Sequence, residues 1–196
     1  MQETEITVQV FETKNDLFKQ LKNLGFNIVK NFQLNDWYFT RLDNISNIDF
    51  QELIKNSILV REIIENGKSQ TQICYKKKDY DCLGNVIGEE KTKTYIEDKD
   101  KMIDILTLAG LNNYCNLHND SYIFSNGYQE MAIQVVNDLG IFIEYEEDNS
   151  IKKNMTNEEK FQHMVNIIKN LGLKTGTDYS CKKVLMKLKK IKISKK

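Results

Sequence analysis

Short runs of β-branched and aromatic residues, typical of β-strands, form two groups in this sequence. One strand and a helical pattern precede the first group, and a helical pattern alone precedes the second. The predicted strands are Ile6–Phe11, Trp37–Phe39, Ser57–Arg61, Gln70–Lys78, Lys91–Ile96, Tyr114–Leu117, Tyr122–Phe124, Glu130–Val135 and Ile141–Tyr145. The turn-rich segment 83–88 lies between two of them and predicts a long hairpin. Because no helical pattern separates the strands within a group, we expect antiparallel pairing and an α+β fold whose sheet curls or closes.

The helical patterns have start and stop signals of their own. Three predicted helices begin near Asn15, Asp100 and Thr156 and end at Gly25, Gly110 and Gly172. Each of these glycines precedes an apolar residue, which is typical of a Schellman cap. Thr156 and Glu159 have the spacing of a capping box. A last helix is predicted from about Asp178, and it ends in the basic run 187–196.

Length and charge limit the classes of protein that this chain can belong to. Its 196 residues suit one large domain, predicted at 1–175, followed by a helix and basic tail at 176–196. Lysine and arginine number 28, as do aspartate and glutamate, so no overall charge attracts the chain to a membrane or to nucleic acid. No apolar run approaches the roughly 20 residues that span a bilayer, and the acidic N-terminus is unlike a signal peptide. We therefore expect a cytoplasmic protein with neither a membrane nor a nucleic acid as partner.

Common catalytic motifs are missing from the sequence. Its four cysteines show neither a CxxC pair nor the spacing of a zinc site, which predicts reduced thiols, and His118 and His163 have no ligand-spaced partner. There is no Gly-rich phosphate loop, no GxSxG motif and no HExxH motif. No enzyme class that depends on such a motif is therefore predicted.

Five segments of the chain follow an order that is typical of one family. They are an opening acidic strand with Glu3 and Glu5, then DWYF at 36–39, ILVR at 58–61, ICYK at 73–76 and VNDLGIFIEYE at 136–146. In this order they resemble the CYTH, or triphosphate tunnel, family, which includes class IV adenylate cyclases and thiamine triphosphatases. The resemblance covers residues 3–173. It implies a closed antiparallel β-barrel flanked by helices, with a triphosphate and a divalent metal ion bound inside.

The resemblance also implies a set of site residues. Glu144 and Glu146 are two apart on a predicted strand, so their side chains point the same way, and with Glu5 they would hold Mg²⁺ or Mn²⁺ through oxygen ligands. Arg61 and Lys76 would bind phosphate oxygens. We expect these side chains to converge on one interior cavity. Without the family, a solvated strand face is the better explanation of the two glutamates on the closing strand, and a solvated hairpin explains Lys76 equally well.

Several family positions carry different residues here. The opening Glu-x-Glu-x-Lys pattern lacks its lysine in either register, and Leu59 stands where the family usually has the first arginine of Arg-x-Arg. Lys91 and Lys93 replace a middle acidic pair, and Gln134 replaces an aspartate. Fewer carboxylates remain to hold metal ions, whereas positive charge that can attract a triphosphate is kept or added.

The sequence therefore leaves two functions open. In the first, the chain binds a triphosphate such as ATP and processes it as an adenylate cyclase or a triphosphatase. In the second, it is a catalytically inactive CYTH-like module that binds a phosphorylated small molecule or a protein partner. We expect binding of a triphosphate to be easier to measure than its turnover.

Overall fold

The computed structural model of the protein describes residues 5–43, 45, 49–55, 57–80, 86–147 and 155–194. Its strands and helices, in chain order, are β1 (Glu5–Val10), α1 (Lys14–Asn23), β2 (Asn27–Thr40), α2 (Phe50–Lys55), β3 (Ser57–Glu65), β4 (Lys68–Tyr80), β5 (Val86–Ile96), α3 (Lys99–Leu108), β6 (Asn112–Ser125), β7 (Glu130–Val136), β8 (Gly140–Glu146), α4 (Asn157–Asn170) and α5 (Lys183–Ser194). No helix in these ranges is long and apolar enough to cross a membrane.

The strands of the described ranges belong to one eight-stranded sheet with the order β1-β8-β7-β6-β2-β3-β4-β5. The registered pairs β1 with β8, β2 with β3, β3 with β4, β4 with β5, β6 with β7 and β7 with β8 are antiparallel. The predicted α+β class, with an antiparallel sheet and flanking helices, is therefore confirmed. The predicted long hairpin is also present, with Lys76 opposite Lys91, although its turn at 81–85 lies outside the described residues.

The helix signals in the sequence are confirmed where they were clearest. In the capping box of α4, the backbone N–H of Thr156 donates to Glu159 Oε2 at 2.7 Å, and Thr156 Oγ1 accepts from the backbone N–H of Glu159 at 3.2 Å. The three glycines that follow α1, α3 and α4 have φ angles between 67° and 86°. This left-handed conformation is accessible to glycine at little cost, which is why the helices end there.

The largest departures from the predicted strands are in β2 and β6. β2 begins at Asn27 rather than at Trp37, and β6 is one strand where two were predicted. Its middle, 118–121, consists of polar residues that are uncommon in strands, so the sequence pattern suggested an interruption. Asn119 and Ser121 are nevertheless buried and pair with Val136 and Gln134 of β7. Pairing with a neighbouring strand overrides the weak strand propensity of these residues.

The chain divides into two compact units, each with its own core. Unit 1 comprises 3–32 and 119–183, and unit 2 comprises 33–118 and 184–196. In unit 1, one face of β1, β7 and β8 packs against α1 and α4; its buried residues include Ile6, Val8, Leu17, Leu21, Ile133, Ile143, Tyr145, Met164 and Ile168. In unit 2, Phe39, Val60, Leu106 and Leu111 form a smaller buried cluster that involves β2, β3 and α3.

The segment 174–181 of unit 1 runs along the edge of β1 that does not face β8. Thr7 N–H donates to the Tyr179 carbonyl at 3.0 Å, and Cys181 N–H donates to the Thr7 carbonyl at 3.1 Å. Gly176 N–H donates to the Gln9 carbonyl at 2.9 Å. The predicted helix start near Asp178 is wrong for this reason: the backbone groups there bond to β1, and α5 begins only at Lys183.

Candidate functional site

The polar face of unit 1 consists of the side chains of β1, β8 and β7 that point away from its core. Ile6, Val8 and Val10 of β1 are buried in the core, so Glu5, Thr7 and Gln9 lie on the opposite side of the strand. The register extends this face across the sheet. Its paired positions are Glu5 with Glu146, Thr7 with Glu144, Gln9 with Phe142, and Phe142 with Gln134.

Three carboxylates meet on this face. One oxygen each of Glu5, Glu144 and Glu146 lies within 4.8 Å of the other two. Glu144 and Glu146 share a face because they are two residues apart on β8, and Glu5 is the cross-strand partner of Glu146. We call these three residues the acidic cluster. The opening strand therefore uses the register in which Glu5 aligns with Glu146, whereas Glu3 lies outside the described residues.

The chemistry of the acidic cluster fits a hard divalent cation. Mg²⁺ and Mn²⁺ prefer carboxylate oxygens and share their coordination sphere with water and phosphate. Like charges placed on directly opposed strand positions also destabilise a sheet, so a cation between them relieves repulsion. Glu5, Glu144 and Glu146 are the residues that would hold such an ion.

Lys183 lies beside the acidic cluster and was not predicted. Its Nζ donates to Glu144 Oε2 at 2.9 Å and also to Gln134 Oε1. Both ends of this ion pair are largely shielded from solvent, since the side chains of Lys183 and Glu144 are 16% and 24% exposed. Nothing in the sequence pattern marks Lys183, because it belongs to a lysine-rich region and lies 39 residues from Glu144.

Neutral polar side chains continue this face beyond the acidic cluster. Thr7, Asn119, Ser121 and Gln134 are each at most 5% exposed. Ser121 Oγ and Asn119 Oδ1 have no hydrogen-bond partner within the part of the chain that the structure describes. Buried polar atoms are rarely left without a partner, so these two point to a water molecule or a ligand group on this face.

Arg61, predicted to bind phosphate, forms an ion pair within unit 2. Its Nε and Nη2 donate to the two carboxylate oxygens of Asp36, each at 2.7 Å. Asp36 is 2% exposed, and burial together with this carboxylate raises the pKa of the neighbouring Tyr38 well above its usual value. The sequence contains both residues in family segments, but their pairing depends on the register of β2 and β3, which aligns Asp36 with Arg61.

The backbone of Lys76 lies in β4, and its side chain lies outside the described part of the structure. Lys91 and Lys93 of β5 are exposed, which is typical of surface charge. The predicted convergence of Arg61 and Lys76 with the two closing glutamates stays a prediction.

A second polar network lies in unit 2. Asn35 Nδ2 donates to Glu62 Oε2 at 2.8 Å, Ser69 Oγ donates to Glu62 Oε1 at 2.9 Å, and Asn35 Oδ1 lies 2.6 Å from His118 Nδ1. Burial acts to raise the pKa of Glu62, but these hydrogen bonds and the charge of Lys99 outweigh it and lower that pKa. His118 therefore takes part in a hydrogen-bond network rather than in a cluster of metal ligands.

The described cysteines Cys74, Cys115 and Cys181 are buried, and none of them forms a disulfide within the described residues. Burial raises the pKa of the Cys115 thiol to about 11, which disfavours the nucleophilic thiolate at neutral pH.

Comparison with curated proteins identifies the family. The chain is 30% identical over 173 residues to a protein of Methanocaldococcus jannaschii named "Putative adenylate cyclase", and the match covers 88% of this chain and 91% of that protein. The chain belongs to the CYTH family. The family resemblance carried by the opening, middle and closing strands is thereby confirmed. No protein-family model matches the chain.

Solved structures share the fold of this CYTH chain. The PH1819 protein from Pyrococcus horikoshii is 18% identical, with a TM-score of 0.71, and the match covers 95% of this chain and 99% of that protein. A protein of Vibrio parahaemolyticus described as a "putative adenylate cyclase" is 15% identical, with a TM-score of 0.59, and the match covers 88% and 90% of the two chains. At these identities the likeness concerns the fold alone.

Proposed function

We propose that this chain binds a triphosphate compound such as ATP together with Mg²⁺ or Mn²⁺. The observation that carries the proposal is the acidic cluster, in which Glu5 and the two closing glutamates come together on one polar face. The relative named "Putative adenylate cyclase" supports a nucleoside triphosphate as the ligand. An isolated group of surface carboxylates would be weak support, but here the same sheet face also carries Ser121 and Asn119, buried groups with a polar atom that has no partner within the described residues.

Each group on the polar face has a chemical task in this proposal. Glu5, Glu144 and Glu146 provide oxygen ligands for the metal ion, which when bound neutralises phosphate charge. Ser121 and Asn119 offer hydrogen-bonding groups to the non-phosphate part of the ligand. Arg61 and Lys76 keep the phosphate-binding role that the family resemblance assigns to them.

We propose that the chain binds a triphosphate measurably but turns it over slowly. Catalysis needs metal ions held in near-octahedral geometry against the phosphates, and carboxylates assist this. Gln134 stands where the family has an aspartate, and its Oε1 accepts a hydrogen bond from Lys183. We therefore expect turnover well below the median enzyme rate of roughly 10 per second.

The second candidate is a catalytically inactive module that binds a phosphorylated small molecule or a protein. The specific observation in its favour is the same neutral amide at position 134, which adds no negative charge for a metal ion. An active adenylate cyclase or triphosphatase and an inactive module make different predictions for the same measurements.

The test combines binding and activity. Calorimetry with tripolyphosphate and with ATP, in the presence of Mn²⁺, is expected to give measurable binding that Lys76→Ala and Glu144→Gln both weaken. Glu97→Gln is the matched control, because Glu97 is an exposed glutamate that lies outside β1 and β8. Assays with ATP, thiamine triphosphate and tripolyphosphate should record both cyclic product and released phosphate.

The outcomes separate the candidates. Fast Mg²⁺-dependent turnover that Glu144→Gln abolishes would show an active enzyme and contradict the expected weak activity. Binding without product would favour the inactive module with a phosphorylated ligand. Absence of binding to every polyphosphate would overturn the proposal.

A further inference from the structure

The ammonium of Lys183 lies on the polar face, bonded to oxygen atoms that could also bind a metal cation. Its Nζ is bonded to a carboxylate oxygen of Glu144 and to the amide oxygen of Gln134. Glu144 is at the same time one of the three members of the acidic cluster. The ammonium of Lys183 therefore requires the same carboxylate as a metal ion that binds Glu144.

The backbone around Lys183 is fixed close to Glu144. Cys181, two residues earlier, donates its N–H to the carbonyl of Thr7, and Thr7 is the cross-strand partner of Glu144. This anchoring returns the lysine to the same carboxylate whenever the segment 174–181 is paired with β1. The side chain itself can still leave, because four flexible carbon atoms separate the ammonium from the backbone.

Resting on the proposed function, we propose that Lys183 is a built-in competitor of the divalent metal ion for Glu144. The ammonium lowers the affinity of the acidic cluster for a metal ion alone in two ways. It occupies one carboxylate oxygen, and its positive charge repels a second cation nearby. A bound triphosphate offers the ammonium other oxygen acceptors, so metal binding becomes more favourable when the triphosphate is present.

The opposite role is also physically reasonable and makes the idea testable. If Lys183 only orients Glu144 for the metal ion, removing the ammonium weakens metal binding. If it competes, removing it strengthens metal binding. The sign of the change in affinity separates the two roles.

The experiment measures Mn²⁺ binding to the full chain without a triphosphate, by electron paramagnetic resonance of free Mn²⁺ and by calorimetry. Lys183→Met removes the charge and keeps the length of the side chain, and we expect it to tighten binding about tenfold, equivalent to roughly 1.4 kcal/mol. Lys183→Arg keeps the charge and should bind within about threefold of the unmodified chain. Lys189→Met is the matched control, because Lys189 is an exposed lysine of the same helix.

Circular dichroism melting checks that each variant is folded. If Lys183→Met does not fold, Lys183→Gln provides a neutral side chain that still donates a hydrogen bond, and the same tightening is expected. An affinity that is unchanged or weaker in the neutral variants, with measurable binding to the unmodified chain, overturns the competition and leaves the proposed function standing. No Mn²⁺ binding by any variant overturns the competition, and the titrations with triphosphate then decide the proposed function. Binding only after Lys183 is neutralised supports strong competition.

Discussion

In each of units 1 and 2, a carboxylate on one strand is aligned with a charged residue on the neighbouring strand. The alignment gives a cluster of like charges in unit 1 and an ion pair in unit 2. In unit 1, Glu5 aligns with Glu146, and both belong to the acidic cluster. In unit 2, Asp36 aligns with Arg61, and the two form a bidentate ion pair. The pair in unit 2 links its own two strands, whereas the alignment of Glu5 with Glu146 in unit 1 places like charges opposite each other and weakens the pairing of β1 with β8.

The comparison shows that the alignment of charged residues on neighbouring strands can serve either folding or binding. A buried carboxylate with a guanidinium partner is satisfied within the chain, and its removal affects mainly the free energy of unfolding. A group of like charges gains most from something added to the chain. Substitutions in the two units are therefore expected to differ in their response to metal ions.

The largest effect is expected for Arg61→Met. This change leaves the carboxylate of Asp36 buried without its guanidinium, and it should lower the free energy of unfolding by about 3 kcal/mol. Urea denaturation measures the loss, and Mn²⁺ should not restore it. Arg41→Met is the control, since Arg41 is exposed. A loss below about 1 kcal/mol would mean that the ion pair contributes little, and the contrast between the units would fail.

A smaller effect of opposite sign is expected for Glu5→Gln. Without metal ions, neutralising Glu5 should raise the free energy of unfolding by about 0.5 kcal/mol, because it removes a like charge opposite Glu146. With Mn²⁺ in excess, the order should reverse, because the variant has lost one metal ligand. Thermal melting at several Mn²⁺ concentrations tests for this crossing, and parallel curves would argue against a metal site at the cluster.

The smallest effect concerns pH and Glu62. The pKa of Glu62 is lowered in the folded protein, so its charged form contributes stability above the unfolded pKa, and this contribution is lost as pH falls through the folded pKa. The difference in unfolding free energy between the unmodified chain and Glu62→Gln should therefore shrink between pH 6 and pH 3. Urea denaturation across this range measures it, with Glu130→Gln as the exposed control. A difference that stays constant with pH would contradict the cause assigned to the lowered pKa.

The sequence predicted those parts of the fold that depend on local patterns. The helix ends at Gly25, Gly110 and Gly172 follow from capping chemistry, and the shared face of Glu144 and Glu146 follows from the two-residue period of a strand. The proximity of Glu5 to Glu144 and Glu146 could be predicted only from the family resemblance, because 139 residues separate Glu5 from Glu144 in the sequence.

Other parts depend on register and on pairing that local patterns do not encode. The pairing of Asp36 with Arg61 requires the register of β2 and β3. The position of Lys183 depends on the segment 174–181 lying along β1, where strand-like hydrogen bonds replace the helix that the sequence predicts from Asp178. In the segment 174–181, tertiary hydrogen bonds outweighed the local preference for a helix.

β1 lies between β8 and the segment 174–181, and this position has a consequence for synthesis on the ribosome. Both partners of β1 lie far along the chain, so Glu5–Val10 cannot complete its pairing until residue 181 has emerged. At typical elongation rates, this delay amounts to roughly 10–35 seconds. During that time Ile6, Val8 and Val10 of the nascent strand lack core neighbours such as Ile143 and Tyr145, which bury them in the folded protein.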